Sequence, residues 1–171
     1  MNTALLVVLA SSLWPFGNGG QTVKNRYLVP AWHVDTVLDR FTNRTVCRVY
    51  QGAARKPSVS YARGTLAFAF PRSRNTLAAD FRVDDGPARP WTSVYPAVIG
   101  TGATLAGTSM TNPTQGLVIL PVATVTGATT VTIRSRPDDK PRVFSVGGLQ
   151  DAMAAAQRLG CDPGNGFVRP L

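Results

Sequence analysis

The chain contains no glutamate, only three lysines, two cysteines and one histidine. All nine acidic residues are therefore aspartates, and because Asp is a poorer helix former than Glu, long helices are not expected. One histidine and two widely separated cysteines provide no cluster of metal ligands. No apolar run approaches the roughly 20 residues that a membrane-spanning helix needs. These scarcities disfavour helical, metal-dependent and membrane-spanning classes, and we expect no cofactor.

The residues that are abundant indicate a basic, β-rich globular protein. The 171 residues are 44% hydrophobic and are sufficient for one domain with a core. Thr, Val, Gly and Pro are frequent, which favours strands and turns. The 15 arginines dominate the cationic residues, and the formal net charge is +9. Such a charge is typical of a basic surface and permits non-specific binding to anionic polymers.

The first residues are apolar and small. The segment 4–13, ALLVVLASSL, has the length of the hydrophobic region of a signal peptide. The alternatives are an N-terminal strand or a short membrane anchor. We therefore divide the chain into a signal peptide or apolar leader (1–20), a leader segment (21–30), one β-rich domain (31–161) and a loose C-terminal tail (162–171).

Short apolar or alternating segments recur along the domain, separated by turn residues. The pattern predicts about seven or eight strands in an antiparallel β-sandwich or a small barrel. Asp84-Asp85-Gly86 predicts a hairpin, with 100–115 as a long exposed loop and 136–141 as a turn. The strands are predicted within 32–50, 59–62, 65–70, 77–83, 91–94, 117–122, 129–135 and 143–146.

One convincing α-helix is predicted, near the C-terminus at about 148–159. Asp151 in its first turn and Arg158 in its last complement the helix dipole. Gly160 then provides a left-handed C-terminal cap. Residues at i, i+3, i+4, i+7 and i+10 form one apolar face, which consists of Leu149, Ala152, Met153, Ala156 and Leu159.

Cys47 and Cys161 are most simply explained as one disulfide in an exported chain. The alternative is a hydrolase in which Cys47 is the nucleophile and His33 is the base. Such a pair requires a third group that orients the base. Asp35 or Asp39 could serve, although the sequence spacing singles out neither of them.

The arginine spacing predicts rows of cationic side chains. Residues of equal parity on one continuous strand share a face. Such rows would bind an anionic polymer, namely nucleic acid, lipopolysaccharide or an acidic glycan. The alternative is a solvated face of the sheet. The candidates for anion binding are Arg40, Arg44 and Arg48, the pair Arg72 and Arg74, and the pair Arg134 and Arg136.

Several short motifs follow one another in a recognisable order. They are Trp32, Cys47, Gly64-Thr65-Leu66, the hairpin 83–86, the segment 144–149, and Ala152, Leu159 and Cys161. Their order resembles the loosely defined envelope proteins of the invasion-associated locus B family of Gram-negative bacteria. The resemblance implies a secreted, periplasmic, β-rich and non-enzymatic protein, and it supplies no catalytic residues.

These observations lead to one leading hypothesis and two alternatives. The leading hypothesis is an exported, periplasmic or secreted β-domain of the cell envelope with a structural or binding role and no catalytic activity. The first alternative is a binder of anionic polymers that uses the arginine rows. The second is the Cys47–His33 hydrolase. The partner is expected to be an envelope protein or an anionic polymer.

Overall fold

A computed structural model describes residues 22–29, 31–39, 44–53, 56–101 and 111–161. The predicted signal peptide at 1–20 and the predicted tail at 162–171 lie outside these ranges. Within them the protein is mainly β, with two antiparallel sheets and one longer C-terminal helix. The described part of the chain contains ten strands, compared with the seven or eight that the sequence predicts. None of its helices is long and apolar enough to cross a membrane.

The larger sheet has six strands, and five of them follow one another along the chain. The strand order is β1-β2-β3-β4-β5-β8, and all neighbouring pairs are antiparallel. The strands are β1 (Thr22–Val29), β2 (Trp32–Asp39), β3 (Arg44–Ala53), β4 (Lys56–Ala62), β5 (Thr65–Ala69) and β8 (Leu117–Pro121).

The smaller sheet has four strands in the order β10-β9-β6-β7, also antiparallel. Its central strand β9 alternates as predicted, because Val131 and Ile133 are fully buried while Thr130, Thr132 and Arg134 are half-buried. The strands are β6 (Asp80–Val83), β7 (Arg89–Pro90), β9 (Thr130–Arg134) and β10 (Arg142–Ser145).

The smaller sheet and the C-terminal helix α3 (Leu149–Arg158) pack against the larger sheet. Phe144 of β10 makes edge contacts with Phe68 and Phe70, at ring-centroid distances of 5.2 and 5.8 Å. Helix α3 contacts β1, β2 and β3. This layered arrangement confirms the predicted β-sandwich class.

The prediction for α3 is confirmed in position, but its buried face differs, because Ala155 is added to it and Met153 and Leu159 are only partly buried. The predicted 148–159 compares with the observed Leu149–Arg158, and Gly160 has the left-handed φ of 77° expected of the cap. Ala155 is 1% exposed, whereas Met153 packs against the core only partly buried. Because Ala155 is small, the helix can approach the sheet closely at this position. Met153 is larger and lies at the border of the buried face.

Two short helices were not predicted. Helix α1 (Tyr95–Gly100) begins with Pro96 in its first turn, which suits a helix start. Helix α2 (Val122–Val125) follows β8 directly. Each is at most six residues long, too short for an apolar period to be recognised in the sequence. Of the predicted loop at 100–115, residues 102–110 lie outside the described ranges.

The predicted return strand at 91–94 is wrong, because Trp91–Ser93 forms a 3₁₀ helix and the return strand is β7. Trp91 is 1% exposed, and its indole N–H donates a hydrogen bond of 2.6 Å to the carbonyl oxygen of Ile119 on β8. Because β8 is an edge strand, this bond satisfies a carbonyl at the open side of the sheet. The predicted strand at 77–83 is confirmed only from Asp80 onward.

Cys47 and Cys161 form a disulfide, as the sequence predicted, with their Cα atoms 5.8 Å apart. Both residues are 7% exposed, so the bond lies at the boundary of the core. The bond joins β3 to the residue that follows the Gly160 cap. It therefore fixes the C-terminal end of α3 to the larger sheet.

Candidate functional site: a basic cleft

A surface cleft of about 310 Å³ lies where the end of β5 meets the turn between β9 and β10. Among the described residues that line it, three carry positive charge and one carries negative charge. We call it the basic cleft; it is lined by Phe70, Pro71, Arg74, Ser135, Asp139, Lys140 and Arg142.

Backbone hydrogen bonds hold the two walls of the basic cleft in place. The amide of Phe70 donates to the carbonyl of Gly116 at 2.8 Å, which fixes the chain just after β5. The amide of Arg74 donates to the carbonyl of Pro71 at 2.8 Å and closes a turn. On the other wall, the amide of Asp139 donates to the carbonyl of Arg136 at 3.1 Å. Arg74 and Asp139 thus stand on turns that are closed by backbone hydrogen bonds.

Asp139 is the centre of a hydrogen-bonded ion pair. Nη1 of Arg74 donates to both carboxylate oxygens of Asp139, at 2.7 and 2.8 Å. The hydroxyl of Ser135 donates to Oδ2 at 2.5 Å. The Ser135 hydrogen bond, followed by the charge of Arg74, holds the pKa of Asp139 below its usual value, against an opposing effect of desolvation. Asp139 is therefore a carboxylate at neutral pH.

Arg142 is held in position against an aromatic surface. The Cζ atom of Arg142 lies 5.0 Å from the ring centroids of both Phe70 and Phe144. Nη1 of Arg142 donates a hydrogen bond of 3.1 Å to the carbonyl of Ala69. Cation–π contact of this kind restrains the planar guanidinium without neutralising its charge. The side chain nevertheless remains exposed to solvent.

One arginine of each predicted downstream pair, Arg74 and Arg136, lies near this cleft. Arg74 lines it, and the charge of Arg136 contributes to lowering the pKa of Asp139. Arg72 lies in the same loop as Arg74, and its carbonyl accepts a hydrogen bond of 2.7 Å from Asn112. Arg134 lies apart, because its guanidinium pairs with Asp80 at 2.7 Å on the smaller sheet. The cations of the cleft are thus two loop residues, Arg74 and Lys140, and the first residue of β10, Arg142, not a row along one strand.

The upstream arginines do not lie on one continuous strand. Strand β2 ends at Asp39 and β3 begins at Arg44, so Arg40 falls between them, outside the described ranges. The side chain of Arg44 also lies outside the described part. Arg48 is half-buried, and its Cζ atom lies 5.6 Å from the ring centroid of Tyr50.

Arg48 belongs to a polar cluster on the face of the larger sheet opposite to Cys47. The hydroxyl of Tyr50 donates to Oδ2 of Asp35 at 2.7 Å, and Asp35 is 1% exposed. The ring of His33 stacks on Tyr50 at a centroid distance of 5.1 Å. His33 pairs with Tyr50, and Asp35 with Arg48, in the β2–β3 ladder. This cluster satisfies a buried carboxylate within the sheet.

The same ladder argues against the Cys47–His33 hydrolase. Cys47 is disulfide-bonded, and a nucleophile requires the free thiolate. Cys47 pairs with Thr36 and His33 with Tyr50, so strand alternation places Cys47 and His33 on opposite faces of the sheet. The carboxylate of Asp35 accepts a hydrogen bond from Tyr50. The side chain of Asp39, the other candidate orienting group, lies outside the described part.

Of the residues that line the basic cleft, only Arg74 belongs to the anion-binding candidates that the sequence predicts. Lys140 lies in the predicted turn at 136–141, whereas Arg142 falls between that turn and the predicted strand at 143–146. Ser135 is the last residue of the predicted strand at 129–135. A usable signal was the spacing of Arg142 and Phe144, which share parity on one strand and permit cation–π contact at its end.

The fold and the cleft together define a disulfide-bonded, two-sheet β-domain with a basic surface site. In the described ranges no group of three or more His, Cys or Asp side chains is placed to hold a metal ion. No protein-family model, no curated protein and no solved structure matches this chain.

Proposed function

We propose that this chain is an exported, periplasmic or secreted β-domain of the cell envelope that binds a partner and has no catalytic activity. The observation that carries the proposal is the Cys47–Cys161 disulfide, because such bonds persist in oxidising compartments and are rare in the cytosol. The apolar segment 4–13 and the resemblance to the invasion-associated locus B family support the same compartment.

The non-catalytic part of the proposal is supported by the arrangement of the reactive side chains. Cys47 is bonded, and His33 packs on Tyr50 on the opposite face of the sheet. Asp80 and Asp139 each form an ion pair with an arginine, which stabilises the charges of both side chains. This pattern is more typical of structural pairing than of an acid–base pair poised near neutral pH.

Cell fractionation combined with thiol counting tests the proposed location. We expect the protein in the periplasmic or extracellular fraction, with both thiols blocked until the denatured chain is treated with reductant. Full-length, uncleaved protein in the cytoplasm with two reactive thiols would contradict export. A correct location with two free thiols would contradict the disulfide alone.

The binding of anionic polymers is a second candidate function, and the basic cleft favours it. Three cationic side chains converge there against one carboxylate, and a single carboxylate cannot neutralise them. Heparin chromatography of the oxidised full chain provides the test. We expect retention that weakens steeply as salt is added, because binding releases condensed counterions. Absence of retention at low salt, or retention independent of salt, would overturn this electrostatic function.

A further inference from the structure

The carboxylate of Asp139 occupies the place that a ligand anion would take on Arg74. It accepts two hydrogen bonds from Nη1 of Arg74 and one from Ser135. Arginine forms comparable charge-assisted hydrogen bonds with carboxylate, phosphate and sulfate oxygens. The ion pair lies in a turn at the surface, with 33% of the Arg74 side chain and 23% of the Asp139 side chain exposed. It is therefore accessible to a competing anion from solvent.

Arg142 and Lys140 supply further cationic donors in the same cleft. Asp139 pairs with Arg74 and does not neutralise these two charges. In the described part of the chain, Arg142 makes one hydrogen bond, to the carbonyl of Ala69. A guanidinium has five N–H donors, so most of its donors are available to a ligand. The contacts with Phe70 and Phe144 hold the group in place, which lowers the entropy lost on binding. Lys140 is exposed and lines the same cleft.

We propose that the basic cleft binds one phosphate or sulfate group, which Arg142 and Lys140 contact directly and which displaces Asp139 from Arg74. The inference deepens the anion-binding function proposed above and rests on it. A tetrahedral anion has more acceptor oxygens than a carboxylate, so it can bond to several cationic groups at once. The cleft is open to solvent, so the molecule that carries the group can extend out of it.

A sulfated or phosphorylated saccharide suits this cleft better than a nucleic acid. Proteins that bind single-stranded nucleic acid combine a cationic groove with aromatic rings on which bases stack. Here the rings of Phe70 and Phe144 are in contact with the guanidinium of Arg142. Phe144 is 5% exposed, so its face is unavailable to a base.

The first test compares R142Q with R82Q in the oxidised full chain. Arg82 is exposed on β6 outside the basic cleft, so both variants remove one surface charge. Binding is measured by isothermal titration at fixed ionic strength, with inorganic sulfate, inorganic phosphate, a heparin-derived tetrasaccharide and a single-stranded oligonucleotide as separate probes. Loss of charge-assisted hydrogen bonds should weaken sulfate and tetrasaccharide binding roughly tenfold in R142Q, with less than about a twofold change in R82Q.

The second test compares D139N with D138N, which make the same change of charge. Asp138 is the exposed neighbour of Asp139. If Asp139 is the internal competitor, D139N binds the tetrasaccharide several-fold more tightly than D138N does. Equal gains in the two variants, or weaker binding by D139N, would overturn the displacement.

The outcomes separate failure of the cleft from failure of the function. A wild-type chain that binds none of the four probes overturns anion binding and the cleft together. Equal effects of R142Q and R82Q in a chain that does bind leave anion binding standing and overturn the cleft. Tighter binding of the oligonucleotide than of the tetrasaccharide overturns the saccharide class. Binding of the free anions as tight as that of the tetrasaccharide assigns the site to inorganic phosphate or sulfate.

Discussion

The indole Nε1 of Trp32 donates a hydrogen bond of 2.9 Å to the carbonyl oxygen of Gly147, 115 residues further along the chain. Trp32 is 1% exposed at the start of β2, and Gly147 immediately precedes Gly148, the N-cap of α3. The disulfide holds the other end of the same helix. Helix α3 is thus fixed to the larger sheet at both of its ends.

Trp32→Phe should destabilise the protein by about 1–3 kcal/mol, because it leaves the carbonyl of Gly147 without its donor and replaces a fully buried indole with a smaller ring. Urea denaturation followed by circular dichroism measures the change. Tyr95→Phe is a suitable control, since Tyr95 is half-buried and its ring contact with Trp91 would be retained. A loss for Trp32→Phe no larger than that of the control would show that the hydrogen bond contributes little.

Cys161→Ser should lower the melting temperature by roughly 5–15 °C under oxidising conditions. The disulfide closes a sequence separation of 114 residues, and on the chain-entropy model a loop of this size contributes about 4–5 kcal/mol before strain and residual structure reduce it. Cys47→Ser and the double variant should melt at the same temperature as Cys161→Ser, because all three lack the same bond. Melting of Cys161→Ser together with the wild type would refute the stabilising role.

Ala155→Asp should destabilise the protein more than Met153→Asp. Ala155 is 1% exposed, so an aspartate there buries an unpaired charge at a cost of about 3 kcal/mol or more. Met153 is half-buried, and an aspartate at that position can reach water. Gln157→Asp, at an exposed position in the last turn of the same helix, measures the cost of an aspartate without burial, from its low helix propensity and the helix dipole. Thermal unfolding of the three variants should rank them in this order, and the reverse order for the first two would contradict the observed orientation of α3.

Asp84 should make stability depend on pH in the acid range. The hydroxyl of Thr129 and the amide of Thr130 donate to its carboxylate, both at 2.8 Å, and they hold the pKa of Asp84 below its usual value. A carboxylate with a lowered folded-state pKa contributes stability above its unfolded-state pKa and loses it as the pH falls through the folded-state pKa.

Asp84→Asn should therefore be less stable than the wild type at pH 6, and the difference should shrink as the pH falls below about 4. Asp85→Asn, at the exposed neighbouring position, serves as the control for net charge. Urea midpoints measured between pH 2 and pH 7 provide the comparison. A difference between Asp84→Asn and wild type that stays constant across this range would contradict the linkage.

Gly116→Ala should destabilise the protein by several kcal/mol more than Gly64→Ala does. Both glycines have a left-handed φ, 77° and 75°, so both substitutions carry a backbone cost of about 1–2 kcal/mol. A Cβ on Gly116 would overlap the carbonyl of Pro71 and lie 2.8 Å from the carbonyl oxygen of Phe70, whereas nothing lies within 4 Å of one on Gly64. Equal melting temperatures would contradict the close approach that positions the loop of the basic cleft.

Local sequence patterns were sufficient to predict the strands and the helix whose formation depends on residues close together in the chain. The alternation of Val131 and Ile133 with threonines specified β9, because side chains on a strand point alternately to opposite faces. The apolar period, the dipole-complementing charges and the Gly160 cap specified α3 for the same local reason. Where no such pattern extends over several residues, as in α1 and α2, sequence reasoning failed.

Tertiary packing alone decided the contacts between segments that are distant in sequence. The fully buried side of α3 includes Ala155 and not Met153, because close contact with the sheet selects the smaller residue. Trp91 begins a 3₁₀ helix and not the predicted strand. In this position its indole N–H donates to the carbonyl oxygen of Ile119 on the edge strand β8. The basic cleft likewise requires Arg74 and Asp139, 65 residues apart, to meet across two turns. The odd or even positions of arginines along the chain cannot predict such a long-range contact. Which charges come together depends on how the loops pack against one another.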